Sequence, residues 1–127
     1  MIVADASAAV AALVSDGIAR QRLGQGAIHA PHLIDYEVAS ALRNRVMRGV
    51  ITEGSGQRAL MQWRKVGVER YPAGGLVARI WELRANLTAY DASYAALAEA
   101  LGCPLVTADG RLANAPGVRC EVQVVPR

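Results

Sequence analysis

Short apolar runs alternate with longer stretches of helical period along this chain. Met1–Ala4 is apolar up to Asp5 and predicts a buried strand, after which Ser7 caps a helix through Val14. Ala27–Ala30 is a second short apolar run, closed by Pro31. Leu33, Val38, Ala41, Leu42 and Val46 recur at helical spacing, predicting a helix over Leu33–Arg48 that Gly49 ends. Thr52 opens another helix, with Leu60 and Trp63 on one face, that stops before Gly67. Val68–Tyr71, closed by Pro72, predicts a third strand, and Leu76–Leu87 a helix. Tyr90–Leu101 is the clearest helix, Ala-rich and ended by Gly102. Pro104–Thr107 predicts a fourth strand, Gly110–Gly117 a loop or short helix, and Glu121–Val125 alternates like a last strand.

Strands alternating with helices predict an α/β fold: three layers, with a twisted, mainly parallel sheet of about five strands flanked by helices. The 127 residues fit a single domain spanning 1–127. At 53% hydrophobic and 20% charged the chain reads as globular, and it has no Phe, so Ala, Val, Leu and Ile must fill the core around Trp63 and Trp81. No apolar run is long enough to span a bilayer. The apolar N-terminus has no preceding Lys or Arg and contains Asp5, so it reads as mature structure rather than an export signal. A cytoplasmic location with Cys103 and Cys120 reduced is the expectation. The net charge is +3, and every basic residue but Lys65 is Arg. Arginine suits phosphate, although a GC-rich coding sequence writes the same bias.

Four acids hold special places in this map. Asp5 and Asp109 each follow a predicted strand, and in an open parallel sheet ligands sit beyond the carboxyl ends of the strands. Asp91 lies in the first turn of the Tyr90–Leu101 helix, and Glu37 one turn into Leu33–Arg48. Singly, each has an ordinary reading: Asp5 as a cap, Asp91 as a helix-dipole partner, Asp109 with Gly110 as a turn, and Glu37, like Asp35, as a solvated face residue. Together on one rim they would repel and raise each other's pKa. A divalent cation offsets that repulsion, and oxygen donors without a His/Cys set favour Mg²⁺ or Mn²⁺ over Zn²⁺.

The stretches MIVADAS (Met1–Ser7), LIDYEVASAL (Leu33–Leu42), LTAYDASYAALAEAL (Leu87–Leu101) and CPLVTADGRL (Cys103–Leu112) resemble the four acidic motifs of VapC-type PIN-domain toxins. The resemblance covers nearly the whole chain, in the family's order and spacing. It implies a metal-dependent endoribonuclease with Asp5, Glu37, Asp91 and Asp109 in its acidic pocket. Asp5 and Asp91 would be the most direct metal ligands, joined by Asp109, and Ser7 and Thr107 would support the pocket by hydrogen bonds. Arg43, Asn44 and Arg111 are weaker candidates for RNA contact, and Arg45 and Arg48 read equally as RNA contacts or as a solvated helix face. The implied partners are single-stranded or looped RNA, a second copy of the chain, and a cognate VapB-like antitoxin that reaches the acidic pocket with a basic side chain.

Two competing readings remain. A phosphoacceptor receiver domain wants adjacent acids after its first strand, where this chain has Ala4 and Ala6 around Asp5. A PIN-like scaffold could bind RNA or protein without cutting, but all four motif acids are present. His29 and His32 flank Pro31 outside the acid motifs and read as structural or exposed. Trp63 and Trp81 read as core or dimer packing, and Gly54–Gly56 and Gly74–Gly75 as turns.

Overall fold

The computed structural model describes residues 1–127. Its strands are β1 (Ile2–Ala4), β2 (Ile28–Pro31), β3 (Val68–Tyr71), β4 (Leu105–Thr107) and β5 (Val122–Val124). The helices are α1 (Ala6–Val14), α2 (Ile18–Leu23), α3 (Ile34–Met47), α4 (Glu53–Trp63), α5 (Val77–Glu82) and α6 (Ala89–Leu101). The five strands form one sheet in the order β3-β2-β1-β4-β5, and every neighbouring pair is parallel. The α/β expectation therefore holds, with all five predicted strands present.

This order positions the site. The chain steps outward from β1 to β2 and β3, using α1–α4 as crossovers, then returns past β1 to β4 and β5 through α5 and α6. Crossovers of one hand place outward and returning helices on opposite faces. Accordingly, α1 packs on α2, α3 and α4, whereas α6 lies along β1, β2 and β4 with α5 beside it. The direction reverses between β1 and β4. Their carboxyl ends frame the crevice where open α/β sheets bind ligands, with Asp5 one residue beyond β1 and Asp109 two beyond β4.

The central strands β1 and β4 are short and wholly buried. Val3, Ala4, Leu105 and Val106 are fully enclosed, and α6 buries a continuous run from Ala92 to Ala98 against them. Small alanines let the helix approach the sheet closely. Thr88 caps α6 by accepting from the Asp91 backbone N–H at 3.2 Å, and Gly102 closes it at φ +65°.

Several expectations change. The cap of α1 is Asp5, not Ser7, since only one residue separates strand from helix and the acid at the strand end meets the free N–H of Ala8. The sequence reading missed α2, whose apolar and polar residues are mixed and whose N-cap, Gly17, offers no side chain. Leu76–Leu87 is not one helix: a 3₁₀ turn at Gly74–Leu76 leads into α5, which ends at Glu82. Gly54 and Gly56 lie inside α4, where a Cβ on Gly56 would come within 2.8 Å of Val46. That close approach of α3 and α4 is the physical reason for glycine there.

Asp35 is only partly solvated and is paired. It accepts from Trp63 Nε1 at 2.8 Å and takes a two-pronged grip from Arg70, Nε at 2.7 Å and Nη2 at 2.9 Å. Trp63 is core, but Trp81 is exposed, with the Arg84 guanidinium stacked 4.5 Å above its ring. His29 is structural, its Nδ1 hydrogen-bonded to the Tyr71 hydroxyl at 2.7 Å.

Candidate active site

The residue after β1 must turn at once into α1, and that geometry buries the Asp5 carboxylate. Its Oδ1 accepts from Ser7 Oγ at 2.6 Å and from the Ala8 backbone N–H at 3.0 Å; its Oδ2 accepts from Thr107 Oγ1 at 2.5 Å. The two hydroxyls are themselves fixed. Ser7 Oγ accepts from the Ala108 N–H at 2.8 Å, and Thr107 Oγ1 from the Asp109 N–H at 3.0 Å. Ser7 and Thr107 thus stand where pocket-supporting residues were expected. Burial pushes the Asp5 carboxyl above the usual carboxylate range, against the pull of these hydrogen bonds, and the charge of Asp109 adds to the rise.

Around Asp5 opens a cleft of about 370 Å³ whose lining includes Glu37, Asp91 and Asp109. All four acids read from the sequence therefore face one space. Burial raises the Glu37 carboxyl, with Asp91 and Asp5 adding to it, while a 2.7 Å hydrogen bond from the Tyr94 hydroxyl opposes them. Burial, then the charges of Asp5 and Asp109, raise Asp91. Asp109 is the exception: the Arg111 guanidinium bonded to it holds it below the usual range.

One wall of the cleft is the face of α3 carrying Glu37, Ser40, Ala41, Asn44, Arg45 and Arg48. These positions fall at helical spacing from Glu37. Asn44 is in the cleft as expected. Arg43, on the opposite phase, is not among the lining residues and bonds only Asn44 Oδ1, at 3.1 Å. Arg45 and Arg48, left open by the sequence between RNA contact and solvated face, line the cleft, and helical phase counted from Glu37 prefers them to Arg43. The same count along α6, Asp91 plus three, marks Tyr94, which the sequence reading did not assign. Arg127 also lines the cleft, bonded to the Ala108 carbonyl at 3.3 Å. No local sequence signal places it there.

The donor set fits a hard divalent cation. The lining holds four carboxylates and neither His nor Cys, and three of the carboxylates are destabilised by burial and by the charge of neighbouring acids. No three of them are gathered closely enough to enclose an ion. An ion there would keep several waters, as Mg²⁺ prefers.

The parallel α/β sheet and the acidic cleft at its switch point agree with the PIN-domain resemblance of the sequence. The PIN-domain family model matches residues 2–118, and the chain belongs to that family. Within it the chain is of the VapC type. It is 57% identical over 127 residues to a VapC ribonuclease of Mycobacterium bovis, with 100% of both chains covered. It is 44% identical over 128 residues to ribonuclease VapC1 of Mycobacterium tuberculosis, covering 97% of this chain and 96% of that one. A crystal structure of a protein from Pyrobaculum aerophilum shares the fold with a TM-score of 0.72 at 27% identity, over 97% of this chain and 83% of that one.

Proposed function

We propose that the chain is a divalent-metal-dependent endoribonuclease, the toxin of a VapBC-type toxin–antitoxin pair, acting in the cytoplasm. The observation that carries this reading is Asp5: a buried carboxylate held by Ser7, Thr107 and Ala8 in a cleft shared with three more acids. Its ribonuclease relatives support the reaction class.

Asp5 and Asp91 would be the direct ligands of Mg²⁺ or Mn²⁺; Asp109, too far to close a three-acid cage as it stands, would join by side-chain rotation or through a water. Such an ion supplies Lewis acidity, a nucleophilic water near neutral pH and charge neutralisation at phosphorus. The protein's own part is positioning. Ser7 and Thr107 fix both oxygens of Asp5. Tyr94 occupies Glu37 Oε1, leaving Oε2 as the oxygen that exchanges a proton with water or substrate. Arg45 and Arg48 sit on the rim, placed to bind phosphates flanking the scissile one. Hydrolysis adds water oxygen to phosphorus and breaks the P–O3′ bond, giving 5′-phosphate and 3′-hydroxyl ends without using the 2′-hydroxyl as nucleophile.

Two partners belong to the same reading. A cognate VapB-like antitoxin would silence the cleft by inserting a basic side chain among the acids. A second copy would cover apolar surface such as Trp81 and Tyr90. The test is incubation of the antitoxin-free chain and Asp5→Asn with total cellular RNA in Mg²⁺ or in EDTA. Discrete 5′-phosphorylated products, abolished by EDTA and by the substitution, are expected. Cleavage surviving both would overturn the reading, and no cleavage by a folded, Mg²⁺-binding chain would favour the non-cutting scaffold.

A further inference from the structure

The acid cleft does not end at Asp109. A second cleft, of about 340 Å³, is lined by Asn86, Thr88, Arg111 and Asn114 and shares Asp91 and Asp109 with the first. Arg111 stands at this junction with its side chain 87% exposed. Its Nε lies 3.0 Å from Asp109 Oδ1 and 3.2 Å from Oδ2, and its Nη2 lies 2.7 Å from Oδ2. Both oxygens of a candidate metal ligand are therefore engaged by one guanidinium, which bonds no other residue through its side chain. A fork of this kind occupies the lone pairs that a cation would use.

We propose that Arg111 is an exchangeable counter-ion: it holds Asp109 until a divalent cation displaces it, then turns into the second cleft to bind the RNA phosphate next to the scissile one. The inference rests on the metal-nuclease reading above.

Three features carry it. The guanidinium end of the pair is open to water, so solvent replaces the bonds that Arg111 gives up when it lets go, while Asp109 stays mostly enclosed. Arg111 sits two residues from Asp109 on a 3₁₀ turn, so release of the guanidinium requires only side-chain rotation, while the Arg111 backbone N–H stays on Asp109 Oδ1 at 3.0 Å. A cation at the acids repels the guanidinium, while an RNA strand crossing both clefts offers it a phosphate. Asn114 and Asn86, whose Nδ2 donates to the Pro116 carbonyl at 3.3 Å, line the same cleft, so a nucleotide entering it meets polar amide groups.

The test measures Mn²⁺ affinity by calorimetry at fixed ionic strength for the wild-type chain, Arg111→Ala and Arg111→Lys. Arg111→Ala is expected to bind Mn²⁺ about three- to tenfold more tightly, with Arg111→Lys in between. In ¹⁵N NMR of the wild-type chain, the Arg111 Nε–H signal moves toward that of a free arginine as Mg²⁺ is added. At saturating Mg²⁺, Arg111→Ala raises the KM for single-stranded RNA about three- to tenfold and leaves kcat nearly unchanged. Tighter metal binding with weaker RNA binding is a pair of opposite effects that a structural role would not give. Equal Mn²⁺ affinity in all three proteins, or an Nε–H signal unmoved at Mg²⁺ saturation, would overturn the exchange alone. Arg111→Lys matching wild type while Arg111→Ala tightens would leave only through-space repulsion and overturn it too. No Mn²⁺ binding by any of the three would overturn this inference together with the reading beneath it.

Discussion

Thr107 and Asp5 stand 102 positions apart in sequence, and the Thr107 hydroxyl donates to Asp5 Oδ2 at 2.5 Å. The contact exists because β1 and β4 are neighbours, with Ala4 opposite Val106, so the next residues of each strand emerge side by side. Thr107 has one proton, and it goes to Asp5. Its oxygen accepts the Asp109 N–H, so one enclosed hydroxyl couples two of the four acids.

Thr107→Val tests that coupling. Valine keeps most of the volume but leaves Asp5 Oδ2 short of a donor and the Asp109 N–H without an acceptor. Loss of about 1–3 kcal/mol of stability is expected in urea unfolding. RNA cleavage should fall about ten- to hundredfold, the usual effect of removing a group that orients a metal-binding side chain. Thr107→Ser should restore most of both. A valine variant equal to wild type in stability and rate would remove Thr107 from the site's support.

The acids themselves should destabilise the fold at neutral pH. Folding raises the pKa of Asp5, Glu37 and Asp91, so the native state binds more protons than the unfolded chain between the ordinary and the raised values. Stability then falls as pH rises through that window and stays lower above it. Asp91→Asn cannot ionise. Its Tm at pH 7 should exceed wild type by a few degrees, and the gain should shrink as pH falls toward about 4. Asp91 also meets the favourable end of the α6 dipole, but burial, Asp5 and Asp109 outweigh this. Added Mg²⁺ should stabilise wild type more than the variant. Thermal melts at both pH values, with and without Mg²⁺, check each part; a lower Tm for Asp91→Asn at pH 7 would contradict it.

Asp35 carries the opposite sign. The Arg70 hydrogen bonds, aided by Trp63, hold its carboxyl below the usual range. The stability it contributes is present above the ordinary carboxylate pKa and is lost as pH falls through the lowered one. Asp35→Ala leaves the buried Trp63 N–H and the half-buried Arg70 without their acceptor. Because the carboxylate is partly solvated, a loss of about 1–2 kcal/mol at pH 7 is expected, narrowing toward acid. RNA cleavage by the folded fraction should not change. Chemical unfolding at pH 7 and in acid separates this from an active-site effect.

These opposite roles for two acids on one helix show what the sequence makes legible. Asp35 and Glu37 both follow Leu33 in α3, and composition does not tell them apart. β1, β2 and β4 were legible as short apolar runs closed by Asp or Pro, β3 by its place before Pro72 and β5 by its alternation, and Asp5 and Asp109 because they close two of the apolar runs. Which strands lie side by side is set by crossover direction, and no local pattern carries it. Hence a supporting role for Thr107 in the pocket came only from the family resemblance, and its bond to Asp5 only from the structure. The α2 helix has no side-chain cap and little periodicity, so tertiary packing on α1 determines it. The choice of Arg45 and Arg48 over Arg43 was within reach, since helical phase from Glu37 fixes it.

Arg45 and Arg48 give the last prediction. Both lie on the α3 wall of the acid cleft, one and two turns beyond Ala41, where a phosphodiester entering the cleft must pass a ring of negative charge. An RNA strand is drawn past such acids only if cations on the rim meet its phosphates. Each phosphate so neutralised releases condensed counterions, and for single strands this gives a slope of about −0.7 in log affinity against log salt. Arg48→Ala and Arg45→Ala should therefore each raise the KM for RNA several-fold at low salt and flatten its salt dependence by up to about 0.7. At saturating RNA, kcat should be little altered, because neither side chain touches Asp5. Arg43→Ala, facing away from the cleft, serves as the matched loss of charge and should change neither KM nor slope by a comparable amount. If all three arginines weaken binding equally, overall net charge draws the RNA in, and the α3 wall has no special part in holding it.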